Sequence, residues 1–532
     1  MTTLSPTQTR ANSKPPKHRK RKNQQTLQKP NGVIAPRVKA AGADHFAVVC
    51  IDPAKLRSEL MMADYFGNLL IEPCTVEHEA HALHSAIQQV KQACQQHAIK
   101  DMIVTIERTG NYHRVTQKTF AAAGFEVRLV HPFATKQYRL PADPGNKTDA
   151  TDLFAQHRAA VAGFGLCEFE LPEVYQQLRL RVRHRRDLVE KATALACQIR
   201  EHLHLSMPRY PNLFSNFFSH AAAMEVARTA SSPAKIIEMG TTGLRTHLSK
   251  KKIRFKTATL EKIVAWANQA AKLELPSKHS LIHSIWTDLH DLHTSIQTQI
   301  VRLESEIAGD LAQTPYVRLL AIPGVNVVSA ADFAGEMGPI EHYANANAIT
   351  GRSGLFPSRY QSDQTDNAGR IVRSANRRLR ASLMRIADNL ANLNAYFRIQ
   401  AAEDHVRKID KRATRVKIAS RFSRIAYACV AGNAPLKHAC CRDSNSIIEK
   451  LRMFHHDHGT SIATALVDLE NAVVQLPYNT RGMEADAISI VLQKQSRSRR
   501  SPTKLGEILP SVLAKLSVPK DACPNEESTA SD

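Results

Sequence analysis

No run of roughly 18 apolar residues occurs in the 532-residue chain, so a membrane-spanning helix is excluded. The first residues hold no apolar segment, and a secretory signal is not expected. Cysteine is scarce and scattered. None of the nine forms a C-x-x-C pair, which argues against a disulfide scaffold or a zinc ribbon and makes a reducing cytosol the expected compartment. Cys440, Cys441, His455, His456 and His458 form one cluster of metal-type ligands, but their spacing fits no standard zinc pattern. There is no internal repeat. Acids are missing altogether from residues 1–40, which carry ten Lys or Arg.

The shortage of acid is general. Lys plus Arg is 72 against 49 Asp plus Glu, a net charge of +23, and setting aside the ten cations of the first 40 residues leaves +13. A body this basic points to a polyanionic partner, most often nucleic acid; the plainer alternative is a solvated basic surface. At about 150 residues per domain the length predicts three or four domains.

Residues 1–42, with Pro15-Pro16 and the run Lys17-His18-Arg19-Lys20-Arg21-Lys22, read as a disordered basic arm. Strands are expected at Phe46–Ile51, Ser58–Ala63, Leu69–Ile71, Met102–Ile106 and Glu126–Val130, with a Gly67-Asn68 turn between the second and third. Helices are expected at Glu77–His97 and Tyr112–Ala123, with Gly124 as C-cap, and from Lys147 onward after a loop at His131-Pro132. That order predicts an α/β layer over residues 43–165. Residues 166–312 look almost wholly helical. Ile285, Leu289, Leu292, Ile296, Ile300, Leu303 and Ile307 are spaced as a coiled-coil seam between chains or as a bundle face within one. Residues 313–432 form a second compact, mainly helical unit. Residues 433–532 read as a partly disordered extension, with Ser496–Lys504 of low complexity.

Asp52 and Glu107 each close a predicted strand, where loops and sites gather in α/β folds. Asp149 and Asp152 lie three apart on one predicted helix and share a face. Four converging carboxylates repel unless a cation neutralises them. Two Mg²⁺ ions about 4 Å apart would do so and could clamp a phosphodiester. The alternatives are ordinary: acids in a first helical turn suit the macrodipole, and Asp52 before Pro53 could be a turn residue.

Three motifs carry a resemblance: Ile51-Asp52-Pro53-Ala54-Lys55, then Glu107-Arg108-Thr109-Gly110-Asn111-Tyr112, then Val130-His131-Pro132 followed by Lys147-Thr148-Asp149-Ala150-Thr151-Asp152. In this order and spacing the chain resembles the "IS one-ten" insertion-sequence transposases, which include the Piv-type DNA invertases. The resemblance implies an RNase H-like (RuvC-like) N-terminal domain whose DEDD acids Asp52, Glu107, Asp149 and Asp152 bind Mg²⁺.

Residues 351–380 hold seven Arg against Asp363 and Asp366. A serine flanked by guanidinium forks could attack a phosphate, but no activating base stands nearby in sequence, so Ser362 alone reads as a turn or phosphate-contact serine. This segment is similar to the family's C-terminal transposase domain, which implies that Ser362 is the nucleophile forming a covalent phosphoserine link. Arg370, Arg373, Arg377, Arg378 and Arg380 are the expected nucleic-acid contacts. Leu320-Ala321-Ile322-Pro323-Gly324-Val325 resembles the family's helix-hairpin-helix-like element. Two departures stand out: the family usually has glycine where this chain has Asp363 and Ala375, and glycine permits backbone angles that Asp and Ala resist.

The resemblance implies a DNA transposase or site-specific recombinase guided by a structured RNA. Its two sites would meet in a homo-oligomer (dimer or tetramer) on DNA in the bacterial cytosol, with no membrane involved. The alternatives are a RuvC-like structure-specific nuclease that uses the carboxylates alone, or a catalytically inactive nucleic-acid-binding derivative.

Overall fold

The computed structural model describes residues 32–477 apart from 143–144, 169–170, 274–278, 363–364, 374 and 443–444. Ser496–Lys504 and Asp363 lie outside the described residues. Chain contacts divide the protein into two units, residues 1–170 and 171–532, each described by itself.

In the first unit the apolar runs form one mixed sheet of β1 (Phe46–Pro53), β2 (Arg57–Asp64), β3 (Leu69–Glu77), β4 (Asp101–Glu107) and β5 (Val127–Val130), in the order β3-β2-β1-β4-β5. The first three strands are an antiparallel meander; β1–β4 and β4–β5 are parallel. Strand β1 is apolar from Phe46 to Ile51 because both its faces are covered. Ala47, Val49 and Ile51 pack with α2 (Ala80–Gln96) and α3 (His113–Ala122). Phe46, Val48 and Cys50 pack with Leu153 and Ala160 of α5 (Asp149–Val161). The expected α/β layer is present. Strand β3 runs on to Glu77, past Pro73, because it is the sheet edge, where a missing N–H costs nothing.

Two expectations are corrected here. The basic arm is not disordered to residue 42: α1 (Ala35–Ala41) buries Val38 beside Ile34. Arg37 there bonds both oxygens of Asp101 (2.8 and 2.6 Å) and reaches Glu126 at 2.8 Å. The stretch after His131 is not a loop: it forms α4 (Pro132–Arg139), capped by His131 with Pro132 in its first turn.

The second unit is helical. Helix α6 (Glu173–Ser206) lies antiparallel to α10 (His279–Ala312). The segment that joins them forms α7 (Ala221–Thr229), α8 (Pro233–Lys250) and α9 (Thr257–Ala270), which pack around Trp286 and Tyr210. Ile296, Ile300, Leu303 and Ile307 are buried against α6, so the apolar stripe is a bundle face within the chain; Ile285 and Leu292 at its start are exposed. The larger core gathers α11 (Val327–Met337), α12 (Ala346–Ser353), α13 (Arg377–Leu393), α14 (Ala395–Val406) and α15 (Lys411–Ala431). It also takes in α16 (Asn445–Asp457) and α17 (Ile462–Val474), so the extension is structured and packed as far as residue 477. Between α12 and α13 stand β6 (Pro357–Ser362) and β7 (Thr365–Ile371), an antiparallel ribbon.

At the Pro323-Gly324 turn the first arm is a 3-10 helix (Pro315–Ala321) rather than an α-helix, and α11 follows, capped by Asn326. Lys450 of α16 donates to the carbonyls of Leu320, Ile322 and Val325 at 2.5, 3.0 and 3.1 Å, tying the extension to this turn.

Candidate active site

Asp52 and Glu107 occupy equivalent positions on adjacent parallel strands, continuing the register that pairs Ile51 with Ile106. Side chains alternate along a strand, so Asp52 follows Phe46, Val48 and Cys50 onto the face that α5 covers, and Glu107 follows Ile103 and Thr105 onto the same face. Helix α5 is fixed there by Gln156, whose amide donates to the Ile51 carbonyl (3.3 Å) and to Thr105 Oγ1 (3.2 Å). Asp152 sits one turn before Gln156, and Asp149 opens the helix behind the Thr148–Thr151 capping box. The sheet and helix thus bring all four predicted acids to one end of one face.

Their electrostatics record that proximity. Burial, then the charges of Glu107, Asp152 and Asp149, push the Asp52 carboxyl up to about 7. Burial also raises Glu107; the neighbouring Thr135 hydroxyl opposes it, and Asp152 adds to it. Asp152 is itself buried and is paired to Arg139 of α4, with Lys147 Nζ 3.8 Å from its other oxygen. Among the described residues no group of three or more His, Cys, Asp or Glu is drawn close enough to hold a metal ion. The donor set nevertheless suits a hard divalent cation: every donor would be a carboxylate oxygen, and burial, then the neighbouring charges, holds Asp52 against ionisation. In the arrangement seen, the Arg139 guanidinium supplies the positive charge at Asp152. Sequence reasoning missed Arg139 and Gln156; the His131-Pro132 helix start was the available signal for the first.

The second expected site lies on the ribbon. Ser362 pairs with Thr365 at the last register position before the turn, and every residue of β6 is exposed. Arg370, Arg373, Arg377 and Arg378 are exposed too, but the register places Arg370 near the base of the ribbon, with its carbonyl bonded by Ser358, and the other three follow it in the chain. Arg380 differs: its guanidinium donates to the carbonyls of Ser353 (2.8 Å) and Val372 (2.6 Å), so it also ties the ribbon base together. Asn376 caps α13 and donates to Glu336, which Arg183 also holds, at 2.9 Å; none of these three was singled out as a contact from sequence.

The cysteine and histidine cluster does not gather around a metal. His455 faces Asp468, His458 faces Glu304, and Cys440 lies beside His438. Nor is α6 a free basic surface: Arg181, Arg183 and Arg185 pair with Asp310, Glu336 and Glu304. Among the described residues no helix is long and apolar enough to cross a membrane.

Residues 49–208 match the DEDD_Tnp_IS110 transposase family, and residues 316–401 match the Transposase IS116/IS110/IS902 family. The first span contains Asp52, Glu107, Asp149 and Asp152; the second contains Ser362 and its arginines. A curated relative from Streptomyces clavuligerus, the "Insertion element IS116 uncharacterized 44.8 kDa protein", is 26% identical over 212 residues, 39% of this chain and 52% of the relative. The chain thus spans about half the length of that relative. Both spans match, in the order in which the sequence sets out the two groups of motif residues, so the chain is similar in two separate regions to the IS116/IS110/IS902 transposases of insertion elements.

Proposed function

We propose that the protein is a DNA recombinase that moves its insertion element through a covalent serine–DNA link, with Mg²⁺ at the four acids. The observation that carries this reading is the placement of Asp52 and Glu107 one residue past the last β1–β4 pair, Ile51 with Ile106, under the helix that bears Asp149 and Asp152. Asp52, Glu107, Asp149 and Asp152 would hold the cation, once Arg139 releases Asp152. Bound there, Mg²⁺ would neutralise charge building on the phosphate oxygens. Ser362 Oγ would form a new ester to phosphorus as one deoxyribose ester breaks; the serine gives up its proton and the departing oxygen takes one up. Arg370, Arg373, Arg377 and Arg378 would steady the phosphate on either side of the attack. By family resemblance the partners are DNA, a structured guide RNA and further copies of this chain, in the cytosol.

The test traps the link. The protein is incubated with the junction DNA of its own element, the flanking RNA and Mg²⁺, then denatured. A covalent species mapping to Ser362, lost in Ser362→Ala and in Asp52→Asn, is expected. Cleavage that survives Ser362→Ala would show a nuclease using the carboxylates alone. Binding without any adduct would show an inactive derivative.

A further inference from the structure

The second unit has two strongly basic helical regions, and they are built differently. Those arginines of α6 are spent on buried acids, as described above. At the tip joining α14 to α15 the acids are spent on the framework and the cations are left over. Asp410 caps α15 by accepting from the backbone of Arg412 and Ala413. Asp404 accepts from Thr414 and pairs with Lys417. Arg407, Lys408, Lys411 and Arg412 are all exposed and have no ion-pair partner among the described residues; Glu403 is the one nearby carboxylate not otherwise engaged.

The tip backbone is also fixed. Ile409 N–H closes onto the Asp404 carbonyl and Lys408 N–H onto the His405 carbonyl, with Lys408 in the left-handed region at φ 55°. Glycine is the usual occupant of that position, and a lysine there costs on the order of 1 kcal/mol. Beside the tip lies a groove lined by Arg407, Lys417, Arg421 and Arg424 against two carboxylates, Glu403 and Asp404, and its lining includes Leu355, two residues before the ribbon that carries Ser362. The family match stops at residue 401, short of the tip and most of this groove.

We infer that the α14–α15 tip and its groove form a second phosphate-binding track, which holds duplex DNA leading away from the point of attack. This rests on the recombinase reading. The occupant is DNA because the groove begins at the base of the ribbon whose serine attacks DNA, and the exposed charge is complementary to a phosphate backbone.

The test is fluorescence anisotropy on the full chain with a DNA duplex and an RNA hairpin of equal length, across about 50 to 200 mM salt. The variant combines Arg407→Ala, Lys408→Gly, Lys411→Ala and Arg412→Ala. A control removes the same charge from the first unit through Lys91→Ala, Lys100→Ala, Arg114→Ala and Lys118→Ala. Each phosphate contact contributes roughly 0.9 to the slope of log affinity against log salt, so the tip variant should lose up to about 3.6 in slope on DNA and bind more than about tenfold weaker, while the control shifts by less than about 1. An unchanged slope in a folded tip variant overturns this inference alone, because wild-type binding still supports the recombinase reading. A loss confined to the RNA hairpin overturns the assignment to DNA. A wild type that binds no DNA overturns both.

Discussion

Gln156 Nε2 stands 3.3 Å from the carbonyl oxygen of Ile51, so the helix that carries two of the acids is hydrogen-bonded to the strand that ends in the third. The same amide reaches Thr105 Oγ1, two residues before Glu107. Gln156 is fully buried. Replacing it with alanine leaves a void and removes the only side-chain tie between α5 and the Ile51 carbonyl that the described residues provide. Gln156→Ala should therefore cost about 2–4 kcal/mol, measured by urea unfolding. It should also weaken adduct formation more than an equally destabilising change in the second unit, because the acids lose their registration.

Asp52 is held against ionisation by burial and by three other carboxylates. Removing its charge without changing its shape relieves that repulsion. In chelator and mildly alkaline buffer, Asp52→Asn should melt higher than the wild type by an amount equivalent to roughly 1–3 kcal/mol, the shift being discounted for solvent screening. Saturating Mg²⁺ should then raise the wild type and leave the variant unmoved. A variant that melts lower in chelator would show that the acids do not repel as their placement requires.

Much of the first unit is written in local pattern. Strand β1 reads as an apolar run from Phe46 to Ile51 because both faces are covered, and the acid that the sheet presents, Asp52, follows directly. The extra reach of β3 was hidden by Pro73, which is tolerated only because β3 is an edge, a property of the sheet and not of the segment. Helix α4 was hidden for a related reason: His131-Pro132 marks a helix start as readily as a turn. The cations show the larger gap. Arg377, Arg378 and Arg380 are alike in composition, yet only Arg380 folds back onto carbonyls at the ribbon base. The arginines of α6 look like a nucleic-acid stripe until acids more than a hundred residues away are packed against them. Summed charge cannot see which cations are already paired.

Gly354 ends α12 in the left-handed region at φ 65°. A Cβ there would come within 2.7 Å of Arg380 Nη2, 2.7 Å of the Val372 carbonyl and 2.8 Å of the Ala375 methyl. Two of these are the partners that clamp the ribbon base. Gly354→Ala should therefore cost about 1–3 kcal/mol through backbone strain and overpacking, and should loosen the ribbon selectively. Limited proteolysis checks this: cleavage within residues 357–371 should speed up more than cleavage in the first unit. Equal acceleration everywhere would show global destabilisation and not a released ribbon.

His455 and Asp468 face each other in the core, with Nε2 and Oδ2 3.3 Å apart. Burial and the charge of His458 push His455 down to about 4. Burial and the charge of Asp310 push Asp468 up to about 6. Between those values the folded protein holds one proton on the pair, on Asp468. The unfolded chain, with ordinary values near 3.9 and 6.5, also holds one, on the histidine. Equal proton counts give no slope of stability with pH, so the wild-type pair is silent. Each single variant unmasks the other group. In Asp468→Asn the lowered His455 remains, the unfolded chain takes up the extra proton, and stability falls as pH drops from about 6.5 towards 4. In His455→Gln the raised Asp468 remains, the folded state keeps the extra proton, and stability falls as pH rises from about 4 through 6. Each slope should amount to about 2–3 kcal/mol across its window, read as the difference from wild type in urea unfolding so that other groups cancel. Parallel pH profiles for both variants would show that the two side chains do not titrate in opposite directions.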